Sequence, residues 1–224
     1  MLAENKISKY LIYAIGEIIL VIIGILIALA INQNNKEKNN NELRDLYLVQ
    51  LYAETNQNIK TLNDFKDNAI KRHSELDTLL QILIKKDYDN PKLLSKSRHL
   101  YGRSAFSPIL TTYENLKFSG DLRLFSDIEL RNSISETYDT FNQIKTVEKI
   151  DLKVIDVYYQ DYYMSNSNIL NLNLSSENFG RDSYFENTVF VRKITIGQVR
   201  DAYEDSIESL EKLKLIFSGL QKSN

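Results

Sequence analysis

The side chains able to do chemistry in this chain are few, and their spacing is informative mainly by what it excludes. There is no cysteine, which removes thiolate nucleophiles, disulfides and cysteine metal sites together. The two histidines, His73 and His99, stand 26 positions apart, and neither has a glutamate three residues before it, the pairing that di-iron helical bundles use. HExxH, GxSxG and P-loop signatures are absent, as is any glycine-rich phosphate loop. The expectation is a protein that is not an enzyme, with no cofactor and no metal.

Four tyrosines, Tyr158, Tyr159, Tyr162 and Tyr163, are the densest group of amphipathic side chains. Tyrosine offers a ring and a hydroxyl, so the set reads either as a core-to-surface belt or as the lining of a ligand pocket, with Arg98 or Arg103 as a charged companion. His73 falls on an apolar helical stripe and is expected at the edge of a core. The one acid in a long apolar stretch is Glu17, and beside it Gly16, Leu20, Gly24 and Ala28 recur at four-residue spacing. An intramembrane acid usually faces protein or water, and small residues four apart let helices approach closely. Three readings stay open for Glu17: interfacial relief near the helix N-terminus, packing against a second spanning helix or another copy, and an ion or proton path.

These residues need elements to hold them, and the first is the apolar stretch itself. Residues 10–31 are 22 residues, 14 of them Ile, Leu or Val, enough at about 1.5 Å per residue to cross a hydrocarbon core of about 30 Å. Each aliphatic residue favours insertion by roughly 0.3 to 0.6 kcal/mol and a central acid opposes it by roughly 3 kcal/mol, so the segment should partition into lipid. Tyr10 and Tyr13 suit the headgroup level. Ala28-Leu29-Ala30 offers a signal-peptidase site, but signal cores run about 7 to 15 residues and this one is longer. Lysines lie on both sides of the span, so charge does not fix its orientation.

Residues 1–9 form a short tail, 32–42 are an asparagine-rich linker or helix start, and 43–224 carry helical periodicity. With 7 glycines and 2 prolines in 224 residues, the fold class is all-α: a spanning helix followed by an elongated antiparallel bundle of three long helices and shorter ones. The stripe from Leu43 predicts a first helix to about Lys86, closed by Asp87–Pro91. Asn90-Pro91 and Ser107-Pro108 read as helix starts, and Ile109 to Lys117 as a helix ending at Ser119-Gly120. Ser126 with Glu129 is an S-x-x-E capping box, with Phe125 and Leu130 as its staple. The helix so begun carries Ile134, Tyr138, Leu152, Ile155, Tyr158 and Tyr162 on one stripe to about Met164. Ser165 to Ser183, with Leu170, Leu172 and Leu174 alternating, reads as a long connection, and a last helix runs from about Tyr184 to Leu220. Net charge is −2 without a basic stripe, which argues against nucleic acid as a partner.

Tyr13 to Asn32 (YAIGEIILVIIGILIALAIN) and Thr112 to Arg131 (TYENLKFSGDLRLFSDIELR) together resemble an uncharacterised family of bacterial single-span membrane proteins, domain of unknown function 6090. In that family a glutamine often stands at the place of Ala30, and a tryptophan where Gln33 follows the Ile-Asn pair. The resemblance implies a bacterial cytoplasmic membrane with the bundle on its periplasmic side, and it implies no catalytic residue. The expected partners are the lipid bilayer and another spanning helix or a second copy, with a role in interaction or scaffolding. The alternative is a ligand-sensing bundle that signals through a partner, its ligand unspecified by the sequence.

Overall fold

The computed structural model describes residues 4–168, 173–174 and 178–222. Leu170 and Leu172 lie outside the described residues. Among the described residues the protein is all-α apart from one two-residue strand pair. Its first helix, α1, runs Glu4–Ile84. The chain divides into two compact units, one up to Tyr47 and one from Leu48.

In the first unit α1 is apolar on every side over residues 11–31, and each of these residues is exposed. Its best 18-residue window has a mean hydropathy of 2.9, so this helix is long and apolar enough to cross a membrane. The asparagine-rich stretch after it is helical as well. Asparagine is a poor helix former, and exposed one-turn contacts support it here: Gln33 Nε2 donates to Glu37 Oε1 at 2.9 Å, and Lys38 lies 4.0 Å from Glu42.

The second unit is built on α1 from Leu48 onward, α4 (Ile128–Val154) and α6 (Ser183–Lys222). Their buried apolar residues recur mostly at sevens, two helical turns: Leu62, Ala69, Leu76 and Leu83 on α1; Ile134, Phe141 and Ile144 on α4; Phe185, Val189, Ile196, Tyr203, Leu210 and Phe217 on α6. Each fully buried Leu or Phe contributes about 1.5 to 3 kcal/mol relative to exposure. Thr140 meets Ser206 at 2.7 Å and Asp151 accepts from Thr195 at 2.6 Å, so numbers rise along α4 as they fall along α6. Between α1 and α6, Asp77 pairs with Lys193 and Lys86 with Glu186 in the same sense.

The connections explain where the helices stop. Lys86 takes a left-handed φ of 56°, and the Lys86 and Asp87 amides donate back to Leu83 and Ile82, closing α1 in a Schellman pattern. Asn90 Oδ1 accepts from Lys92 N at 2.9 Å and starts α2 (Lys92–Ser97), which tightens into a 3₁₀ turn, Arg98–Tyr101. Residues 102–110 carry no regular structure. The helix expected at Ile109 begins two residues later, as α3 (Thr111–Ser119), because Asn58 holds the Ile109 backbone. Gly120 ends α3 at φ 76°.

The N-cap of α4 is Asp127 and not Ser126: the Asp127 carboxylate accepts from Glu129 N at 2.8 Å. Its negative charge at a helix N-terminus is the better complement to the dipole. Phe125 and Leu130 are both buried, though the shifted cap takes them off the staple positions. After α4 a π turn, Ile155–Tyr159, leads into α5 (Gln160–Asn166), and β1 (Ser167–Asn168) pairs antiparallel with β2 (Asn173–Leu174).

Candidate functional site

Residues 102–110 have no helix or sheet to satisfy their backbone, and buried backbone polar groups need partners. Side chains from the three long helices supply them. Asn58 on α1 donates to Ile109 O and accepts from Ile109 N, both at 2.8 Å. Just past the segment, in the first turn of α3, Thr112 N donates to Glu54 at 2.7 Å, and Glu54 also accepts from the Tyr138 hydroxyl at 2.6 Å. Glu148 on α4 repeats that pattern, accepting from Phe106 N at 2.9 Å and from the Tyr203 hydroxyl. Arg72 donates to Ser104 Oγ, and Arg192 to Gly102 O.

Arg72, Glu148, Asp151, Arg192 and Tyr203 form one buried ionic cluster beneath this segment. Arg192 and Asp151 are paired, and Arg192 Nη1 also donates to the Asp151 carbonyl at 2.9 Å. Burial lowers the Arg192 pKa from its ordinary value while Asp151 pulls the other way, and a guanidinium stays protonated at neutral pH. Burial lifts the Glu148 carboxyl above the usual carboxylate range, with the Tyr203 and Phe106 donors opposing it. The Tyr203 hydroxyl is pushed up, first by burial and then by the bond to Glu148. Two guanidiniums face two carboxylates, so the cluster is nearly neutral as a whole. Asp151 Oδ2, Arg192 Nε and Arg72 Nη1 are buried with no partner among the described residues.

On the outer side of the same segment a groove of about 660 Å³ opens between residues 104–118 and α4. Phe106, Tyr113, Tyr138 and Phe141 wall it, and Lys117, Lys145 and Lys149 stand at its rim. Ser104 and Glu148 border both the groove and the cluster, so one residue layer separates them.

The tyrosines singled out by spacing are divided. Tyr159 and Tyr163 are buried against Tyr101 at ring separations of 5.3 and 5.2 Å, and the Tyr159 hydroxyl donates to Ser97 O at 2.8 Å. Tyr162 donates to Asp182 at 2.6 Å and stacks on Phe185, whereas Tyr158 is exposed beside Tyr184. The stripe that put Tyr158 and Tyr162 inward is displaced because the π turn adds a residue between Ile155 and the next core position. Arg98 is exposed, and Arg103 pairs with Asp156 at 2.7 Å.

His73 is half-buried against Gly197, its pKa lowered by burial and by Lys193 and Arg200. Among the described residues no group of His, Asp and Glu is arranged to hold a metal ion. Gly16, Glu17, Leu20, Gly24 and Ala28 are exposed on α1, and a Cβ added at Gly16 or Gly24 would meet nothing within 4 Å.

Sequence reasoning passed over Glu54, Asn58, Arg72, Glu148, Asp151 and Arg192. A signal was present. Glu148 and Asp151 are in phase with Ile144 and Ile155, and Arg192 with Val189, Ile196 and Val199, so each is a polar residue on an apolar stripe. Comparison with family models, with curated proteins and with solved structures gives no match for this chain.

Proposed function

We propose that the chain is a single-span membrane protein of a bacterial cytoplasmic membrane, whose antiparallel helical bundle faces the periplasm and docks a partner protein in a non-enzymatic role. The resemblance of the Tyr13–Asn32 and Thr112–Arg131 stretches to a single-span bacterial family supports the setting. The observation that carries the anchor is the uniformly exposed apolar surface of residues 11–31, because an aqueous helix would need cover on at least one face. The docking part rests on Phe190 and Ile194, which are 52 % and 47 % exposed one turn apart, on the side of α6 opposite the buried Arg192. Glu17 and Gly24 lie on one side of the spanning helix, a face suited to a second helix or another copy.

Alkaline phosphatase and a fluorescent cytosolic reporter, each fused after Asn224, test this together with alkaline carbonate washing of membranes. Active phosphatase and retention in the washed membrane are the expected outcome. A signal from the cytosolic reporter alone overturns the periplasmic placement, and release by carbonate overturns the anchor. For docking, Phe190→Ser with Ile194→Ser is expected to abolish cross-linking to the partner in intact membranes while leaving the melting temperature within a few degrees.

A second reading is a ligand-sensing bundle that signals through a partner's helices. The groove between residues 104–118 and α4 favours it, being concave, partly apolar and within the usual size range of small-molecule sites.

A further inference from the structure

The groove has a composition that selects among ligands. Its floor is a ring set: Tyr113 stacks on Tyr138 at 4.3 Å with 18° between planes, Phe141 meets Tyr138 edge-on at 5.6 Å, and Phe106 is 5.6 Å from Phe141. The Tyr138 hydroxyl is engaged by Glu54, and Tyr138 and Phe141 are 3 % and 6 % exposed, so they back the half-buried rings of Phe106 and Tyr113, which face the groove. A flat apolar body can stack there.

The rim charges are unequal in what they have left to give. Lys145 and Lys149 stand one turn apart on α4, exposed, and among the described residues neither meets a carboxylate within 4.0 Å. Lys117 stands on the α3 side, 5.9 Å from the Tyr113 ring centre. Of the three lining acids, Glu148 is committed to Tyr203 and Phe106, and Asp139 accepts from Asn142 at 2.9 Å. The bond from the neutral Asn142 amide leaves the charge of Asp139 in place, so with Glu148 counted in the buried cluster the three lysines face two exposed acids, Glu114 and Asp139. Three lysines against two exposed acids leave an excess of one positive charge at the mouth, over an aromatic floor.

We propose that this groove binds a small organic anion with a flat apolar body, the rings lying on Phe106 and Tyr113 and the carboxylate or phosphate held by Lys145 and Lys149. The inference deepens the ligand-sensing reading and rests on it. Ammonium donors hold an anion as point charges, so affinity should fall with added salt.

The full chain in nanodiscs of zwitterionic lipid is titrated calorimetrically with 2-naphthoate, with 2-naphthylmethanol and with 2-naphthylmethylammonium, empty nanodiscs serving as blanks. The expected result is that the carboxylate binds at least about tenfold tighter than the other two probes. Lys145→Gln with Lys149→Gln should weaken it about tenfold, while Lys153→Gln, one turn beyond the groove, leaves it unchanged. Both lysines are exposed, so the variant keeps its fold, which its melting curve checks. Equal binding of all three probes, or indifference to the double substitution, overturns the anion inference and leaves the sensing reading standing. Failure of all three to bind at millimolar concentration overturns both.

Discussion

Asp151 and Arg192 meet across α4 and α6 as an ion pair whose two side chains are 0 % and 1 % exposed. Two charges taken so far from water cost several kcal/mol each before their attraction is counted. Their worth lies less in stability than in fixing how α4, α6 and the Gly102 carbonyl meet. Arg192→Met leaves Asp151 buried and unpaired and is expected to lower unfolding stability by about 3 to 5 kcal/mol. Asp151→Leu combined with Arg192→Met should cost clearly less than the single change. Guanidinium titration of each variant, followed by helicity, checks the order; a double variant as unstable as the single one contradicts it.

Glu148 gives the bundle a pH dependence whose sign follows from its raised pKa. The native state holds this proton more tightly than the unfolded chain, so the contribution is fully present below about pH 4.5, the ordinary value, and is lost as pH rises through the native pKa. Glu148→Gln keeps an oxygen for Tyr203 and Phe106 but removes the titration. Stability measured from pH 4 to 8 should therefore fall less steeply with rising pH in this variant than in the parent. Parallel pH profiles would show that the carboxyl does not titrate differently in the two states.

Asn58 satisfies both backbone groups of Ile109 with one side chain. Asn58→Ala leaves an amide and a carbonyl without protein partners, at about 1 to 3 kcal/mol for each that stays buried. Because Ile109 itself is 44 % exposed, water recovers part of this and about 1 to 2 kcal/mol is expected. The more specific readout is hydrogen exchange at the Ile109 amide, which should accelerate far more than exchange at Leu62 or Leu76 in the core of α1.

Gly102 has φ −59° and ψ 121°, a backbone open to any residue, so its constraint is space alone. An added Cβ would stand 2.5 Å from Arg72 Cδ. Gly102→Ala is expected to cost about 1 to 3 kcal/mol as overpacking, and shortening the obstacle with Arg72→Ala should make the pair less than additive. Thermal unfolding of the two single variants and the double one measures the coupling; strict additivity would place the strain elsewhere.

The helical class and most helix limits were legible because they rest on local signals. Fourteen aliphatic residues among the 22 of 10–31 mark the apolar helix, and Gly120 ends α3 at the left-handed φ that its residue type favours. The candidate site was not legible for the opposite reason. Asp151 and Arg192 make sense on their apolar stripes only once each faces the other, 41 residues away in the chain. The path of residues 102–110 is set by Asn58, Arg72, Glu148 and Arg192, none of them near in sequence. The π turn at Ile155–Tyr159 carries no residue type that announces it, so spacing alone puts Tyr158 on the inward stripe where the structure buries Tyr159.

The segment 102–110 has one more consequence, in the order of assembly. It forms no ladder of its own, and its anchors come from three helices separated by up to 134 positions, Asn58 to Arg192. Such closures lose chain entropy before any contact offsets it. The segment can take its path only after α1, α4 and α6 have docked, which makes it a late element in folding and an early one to let go. One wall of the groove is this segment, so an intact groove reports that all three helices are in place, and a loosened α6 would be felt there first.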